Sequence, residues 1–133
     1  MNQPAPATRL ALHGLHEAMG ATFSKAGRWI VPVRYGAAAA ELDGLRQRAA
    51  VFDRSDRSRF LVTGTDAAEL LATVFAGHVT ELEEGRSMRA VWLGEDGSIG
   101  DLALISRTAG IAYLVSGEPG QRETTCDRLR SAA

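Results

Sequence analysis

From residue 59 onward the apolar and polar positions follow two clear periods in turn. Residues 59–63 (RFLVT) read as a strand, Gly64 breaks it, and Thr65 or Asp66 can cap a helix. Ala67, Leu70, Leu71, Val74 and Phe75 then fall at i, i+3, i+4, i+7 and i+8, the strongest helical signal in the chain. Such a stripe has to be covered by an apolar surface. Residues 88–93, 99–106 and 111–116 supply three successive strands, separated by an Asp96-Gly97 turn and by Thr108-Ala109-Gly110, so they read as hairpins. A last helix is expected to begin at Pro119, with Glu118 and Glu123 near its start and Arg128 and Arg130 near its end to complement its dipole. The order strand, helix, three strands, helix gives an α+β class, an antiparallel sheet with helices packed on one face.

The first part of the chain is less regular. Residues 1–8 are rich in Pro and Ala without periodicity and read as a flexible leader, so one folded body is expected over residues 9–133. Ala11, Leu15, Ala18 and Met19 lie on one helix face that Gly20 can end. A short basic connector follows, and then residues 29–35 (WIVPVRY) look extended, with Pro32 pointing to an edge or irregular strand. Helical spacing returns over residues 37–49 through Leu42, Leu45 and Ala49.

Composition narrows the function classes. With 133 residues, 45% hydrophobic and 23% charged, the chain can bury one sizeable core. Fifteen Lys and Arg against sixteen Asp and Glu, a net charge of −1 and no basic block give no electrostatic footprint for nucleic acid or an anionic membrane. Cys126 is the single cysteine, which rules out an internal disulfide and favours a reducing, cytoplasmic setting. No export signal and no run of eighteen apolar residues is legible.

Candidate chemistry is sparse. On the strand after the Asp96-Gly97 turn, Ile99, Asp101, Ala103 and Ile105 share one face, where a carboxyl must be paired or solvated. Asp101 either opens that strand in water or has a task. His13 and His16 are close enough on a helix to share a metal, but no third ligand is legible and both are expected on the helix surface. Arg54, Asp56, Arg57 and Arg59 read as a solvated mixed-charge cluster. The turn at residues 96–100 is followed by a strand, not a helix, so it is no phosphate loop. Trp92 and Tyr113 either fill the core or offer a stacking face.

Three segments, in order, carry a family resemblance: GRWIVPVRYG (residues 27–36), VFDRSDRSRFLVTGTDAAELLATVFAGHVTELEEGR (51–86) and LGEDGSIGDLALI (93–105). Together they resemble the amino-terminal half of the glycine-cleavage T-protein (aminomethyltransferase) family, over about Leu12 to Leu129. The resemblance implies a fold that encloses tetrahydrofolate for one-carbon transfer. By position it makes Asp101 the carboxyl at the reacting end of the pterin, with Trp92 and Tyr113 as candidate contacts to folate. It also implies a lipoyl-carrier protein as a partner, and a further chain or segment supplying the half of the family fold that these residues do not match. After Phe52-Asp53-Arg54-Ser55 the chain runs Asp56-Arg57-Ser58, where T-proteins carry a His-Met-Gly-like continuation. That departure leaves open the wider folate-binding group, including YgfZ-type proteins of iron-sulfur cluster maintenance, although Cys126 does not match their Cys motif.

Overall fold

Strand pairing separates the chain into two compact units, Met1–Asp56 and Arg57–Ala133. The computed structural model describes residues 7–133; the leader expected over residues 1–8 therefore lies outside the described residues except at its end. There, Thr8 already belongs to strand β1 (Thr8–Arg9), and its N–H donates to the Arg28 carbonyl at 2.6 Å.

In the first unit β1 is followed by helix α1 (His13–Ala18), strands β2 (Thr22–Ala26) and β3 (Trp29–Arg34), and helix α2 (Ala38–Gln47). The sheet order is β1-β3-β2, with β1 parallel and β2 antiparallel to β3. β2 occupies most of the stretch expected to be a connector. Its hairpin partner explains it: Ala26 pairs with Trp29 across Gly27-Arg28, and Gly27 takes a φ of +58° at the first loop position, as a two-residue hairpin turn requires. Pro32 sits in the middle strand, yet β1 reaches only Trp29 and Ile30, so on that side Pro32 has no neighbour needing its missing N–H.

The helices of this unit turn unexpected faces inward. α1 buries His13 and His16, and Leu15 and Met19, expected on its inner face, are exposed. Local contacts override the apolar periodicity, since the His13 ring packs on Phe23 at 4.3 Å between centroids and His16 is held by two polar partners. Neither histidine is the surface residue expected. α2 forms where its spacing predicts but buries no residue, leaving Leu42 and Leu45 exposed.

The second unit follows the sequence closely: β4 (Arg57–Thr63), α3 (Ala67–Val74), a one-turn 3-10 helix (Val79–Glu81), β5 (Ser87–Leu93), β6 (Ile99–Ala109), β7 (Ala112–Pro119) and α4 (Arg122–Ala132). Its antiparallel sheet has the order β4-β7-β6-β5. α3 and α4 cover one face, closing a core that includes Leu71, Val74, Phe75, Ile105, Tyr113, Val115 and Leu129. At the first turn Gly97 takes a φ of +79°, and Asp96 accepts from the N–H and hydroxyl of Ser98, which lowers the Asp96 carboxyl below its usual range. The last helix starts later than Pro119, because Pro119 still pairs with Arg57 and Gly120, at φ +89°, makes the bend before Arg122. On α4 it is Thr125, one turn before Leu129, that faces the sheet, while Cys126 is half-buried.

Candidate functional site

Each unit carries one group of chemically active side chains. In the first unit His16 lies between Asp53 and Tyr35: its Nε2 is 3.1 Å from Asp53 Oδ2, and its Nδ1 is 2.6 Å from the Tyr35 hydroxyl. A neutral ring with its proton on Nε2 satisfies all three groups, donating to the carboxylate and accepting from the phenol. Asp53 is tied further, because its oxygens accept the N–H groups of Leu12 and Ser55. Burial acts to raise this carboxyl, but the hydrogen bonds from Ser55, His16 and Leu12 outweigh it and lower the pKa to about 2.

That depression predicts a pH dependence. The unfolded carboxyl takes its proton first, near 3.8, so the stabilisation is complete above that value and is lost as pH falls from 3.8 toward 2. Its size is about 1–2 kcal/mol after allowance for solvent screening. Asp53→Asn should flatten acid denaturation in this window. An unchanged acid transition in that variant would remove Asp53 as its cause.

These three residues border a concavity of about 720 Å³ whose other walls are largely apolar, among them Val33, Leu42, Leu45, Val51 and Phe52. Glu41 stands at its rim, with Oε1 accepting the N–H groups of Tyr35 and Gly36. The sequence offered two signals for this site, the Phe-Asp-x-Ser turn and the Tyr35 strand end, but nothing in spacing alone joins them to His16.

The second unit holds Asp101. It is only 2% exposed and faces the helices along with Ala103 and Ile105. Its Oδ1 accepts the Glu118 N–H at 2.9 Å, and its Oδ2 accepts the Thr125 hydroxyl at 2.8 Å. Thr125 in turn accepts from Trp92 Nε1 at 3.2 Å. The carboxyl thus links β6 to β7 and α4. It is paired inside the core, neither lying in water nor standing free.

Two glycines make room for this arrangement. A Cβ on Gly117 would overlap the Asp101 carboxyl and the Ser58 hydroxyl, and a Cβ on Gly100 would overlap the Trp92 ring. Gly100 is the extra residue of a bulge, since Trp92 pairs with Asp101 and Leu93 with Ile99. Ser58 Oγ is buried without a hydrogen-bond partner.

Of the residues the resemblance nominated, Tyr113 is a fully buried core residue with the Arg107 guanidinium 5.6 Å from its ring centre. Trp92 is half-buried and Asp101 is its cross-strand neighbour. The structure brings Trp92 and Asp101 together and gives Tyr113 a place in the core. Asp101 and Trp92 are both hydrogen-bonded within the unit through Thr125. Arg54 pairs with Asp56 at 3.4 Å and Arg57 with Glu118 at 2.9 Å, each within its own unit. Among the described residues no helix is long and apolar enough to cross a membrane, and no three His, Cys, Asp or Glu side chains cluster as metal ligands.

The order of strand, helix, hairpins and helix is that of an aminomethyltransferase-type amino-terminal domain. The chain belongs to that family: the family model described as GCVT N-terminal domain matches residues 12–133. It is similar to an aminomethyltransferase of Corynebacterium aurimucosum, 35% identical over 122 residues that cover 92% of this chain and 33% of the relative. An aminomethyltransferase of Streptomyces coelicolor is 34% identical over 125 residues, covering 94% of this chain and 34% of that protein. Among solved structures, the glycine cleavage system aminomethyltransferase T of Bartonella henselae superposes with a TM-score of 0.84 at 26% identity, over 95% of this chain and 35% of that one. The chain spans about a third of the length of the curated relatives it matches.

Proposed function

We propose that this chain provides the amino-terminal third of a tetrahydrofolate-binding, aminomethyltransferase-type fold that transfers a one-carbon unit, with a lipoyl-carrier protein as donor and the cytoplasm as setting. The observation that carries the reading is the match over residues 12–133 to a family whose curated relatives are aminomethyltransferases. In this reading Asp101 is a positioning residue. It fixes the Glu118 backbone and α4 behind the hairpin, and it acts on folate through what it holds in place.

A second reading has a specific observation in its favour. Both Asp101 oxygens are committed to the core, which suits a relative that binds folate without turning it over, as in the iron-sulfur maintenance group. The two separate in one assay. The chain is joined to the part of the C. aurimucosum enzyme outside the match and given tetrahydrofolate and an aminomethyl-loaded lipoyl carrier. Formation of methylenetetrahydrofolate is the expected result, and folate binding without product selects the second reading. Neither binding nor product from a folded assembly would overturn both.

A further inference from the structure

We propose, resting on the family reading above, that the open apolar concavity of the unit Met1–Asp56 seats the polypeptide that aminomethyltransferases carry outside the stretch matched here. Among the described residues of this unit the one buried apolar side chain is Leu10. The other unit buries twelve in a continuous cluster. A body of this size folds stably only by removing a large share of its apolar surface from water. Here Val33, Leu42, Leu45, Val51 and Phe52 instead line a hollow of about 720 Å³, and Val51 is 96% and Phe52 68% exposed. α2 is amphipathic in sequence and has its polar face in water, but its Leu42 and Leu45 have no covering layer.

The polar groups around the hollow narrow the occupant. His16, Tyr35 and Asp53 satisfy one another, and Glu41 Oε1 already accepts two backbone N–H groups. Arg54 and Asp56, which also line it, pair with one another at 3.4 Å, so the larger remaining demand is for apolar contact, which a packed helix or strand meets and a highly polar small ligand does not. The relatives supply the matching material: the alignment covers 33% of the C. aurimucosum protein, so about two thirds of that polypeptide lies outside it. Polypeptide of that family, in the same chain or a separate one, is the occupant to which we commit.

The test is capture. Tagged chain is co-expressed with the C. aurimucosum aminomethyltransferase lacking its matched third, and the relative's own amino-terminal third serves as the positive control. Wild-type chain is expected to retain the relative in equal stoichiometry, and a Leu42→Glu/Phe52→Asp double variant should lose about tenfold or more of that retention. Both positions are exposed, so the variant should keep its circular dichroism spectrum. Hydrogen exchange on the captured wild type is expected to slow in α2 and around residues 51–52. Equal retention of the double variant, no slowing on capture, failure of wild type where the positive control assembles, or closure of this face by a second copy of the chain would each overturn the inference. Turnover is read separately: assembly without product leaves this inference standing and removes the catalytic reading.

Discussion

Replacing Asp101 by alanine is expected to lower the unfolding free energy of the second unit by about 3 kcal/mol, whatever its effect on ligand binding. The change deletes two hydrogen bonds to a buried carboxyl, leaving the part-buried Glu118 N–H without its acceptor and stranding the Thr125 hydroxyl in the core. Such bonds contribute about 0.5–1.5 kcal/mol net each, and a stranded buried donor adds about 1 kcal/mol or more of desolvation cost. Asn at this position keeps an acceptor for Glu118 but turns an N–H group toward Thr125, whose oxygen already accepts from Trp92. A loss of about 1 kcal/mol is expected for it. Urea unfolding followed by tryptophan fluorescence reads both. An unaltered midpoint for Asp101→Ala would mean that the carboxyl has no structural task, and would return it to the direct folate contact that the family resemblance implies.

The second large effect is expected from Gly117→Ala. The new methyl would occupy the space of the Asp101 carboxyl and the Ser58 hydroxyl, so the clasp must open or β7 must move. Overpacking of this kind costs about 1–3 kcal/mol, which for a unit of this size lowers Tm by on the order of 10 °C. Gly110→Ala is the matched control, because a Cβ there meets nothing within 4 Å. It should leave Tm within a few degrees of wild type. Adding Ser58→Gly to Gly117→Ala should recover part of the loss, since the hydroxyl removed has no hydrogen-bond partner. Equal Tm values for the Gly117 and Gly110 variants would contradict the packing described around Asp101.

The sequence is legible where burial is one-sided. In the second unit the i, i+3, i+4 stripe of residues 67–75 and the alternation through residues 101–105 both face one core, so period, element and inner face agree with the structure there. Asp101 lies inward beside Ala103 as expected, but Ile99, expected on the same face, is 68% exposed because the bulge at Gly100 breaks the alternation. The partners of Asp101 were not legible, because Thr125 lies 24 residues away and sits on a helix whose facing side depends on where the bend at Gly120 falls. The first unit resists the same reading. Its helices turn polar histidines inward and leave leucines outside, so hydrophobic periodicity names the wrong side of α1. β2 was hidden because TFSKA has a single large apolar residue, and its identity rests on the Gly27 turn rather than on pattern. The His16, Tyr35 and Asp53 group draws on three separate elements and leaves no local trace.

The engaged Asp101 and Trp92 side chains, an open apolar hollow and a match covering about a third of the relatives support the proposal that the completed fold, rather than these residues alone, holds folate. Calorimetric titration with tetrahydrofolate decides it most directly, run on the isolated chain and on the chain assembled with the remainder of the C. aurimucosum enzyme. The account predicts micromolar affinity for the assembly, about −8 kcal/mol, and binding at least about 100-fold weaker for the isolated chain. Micromolar binding by the isolated chain, or none by a folded assembly, would contradict it.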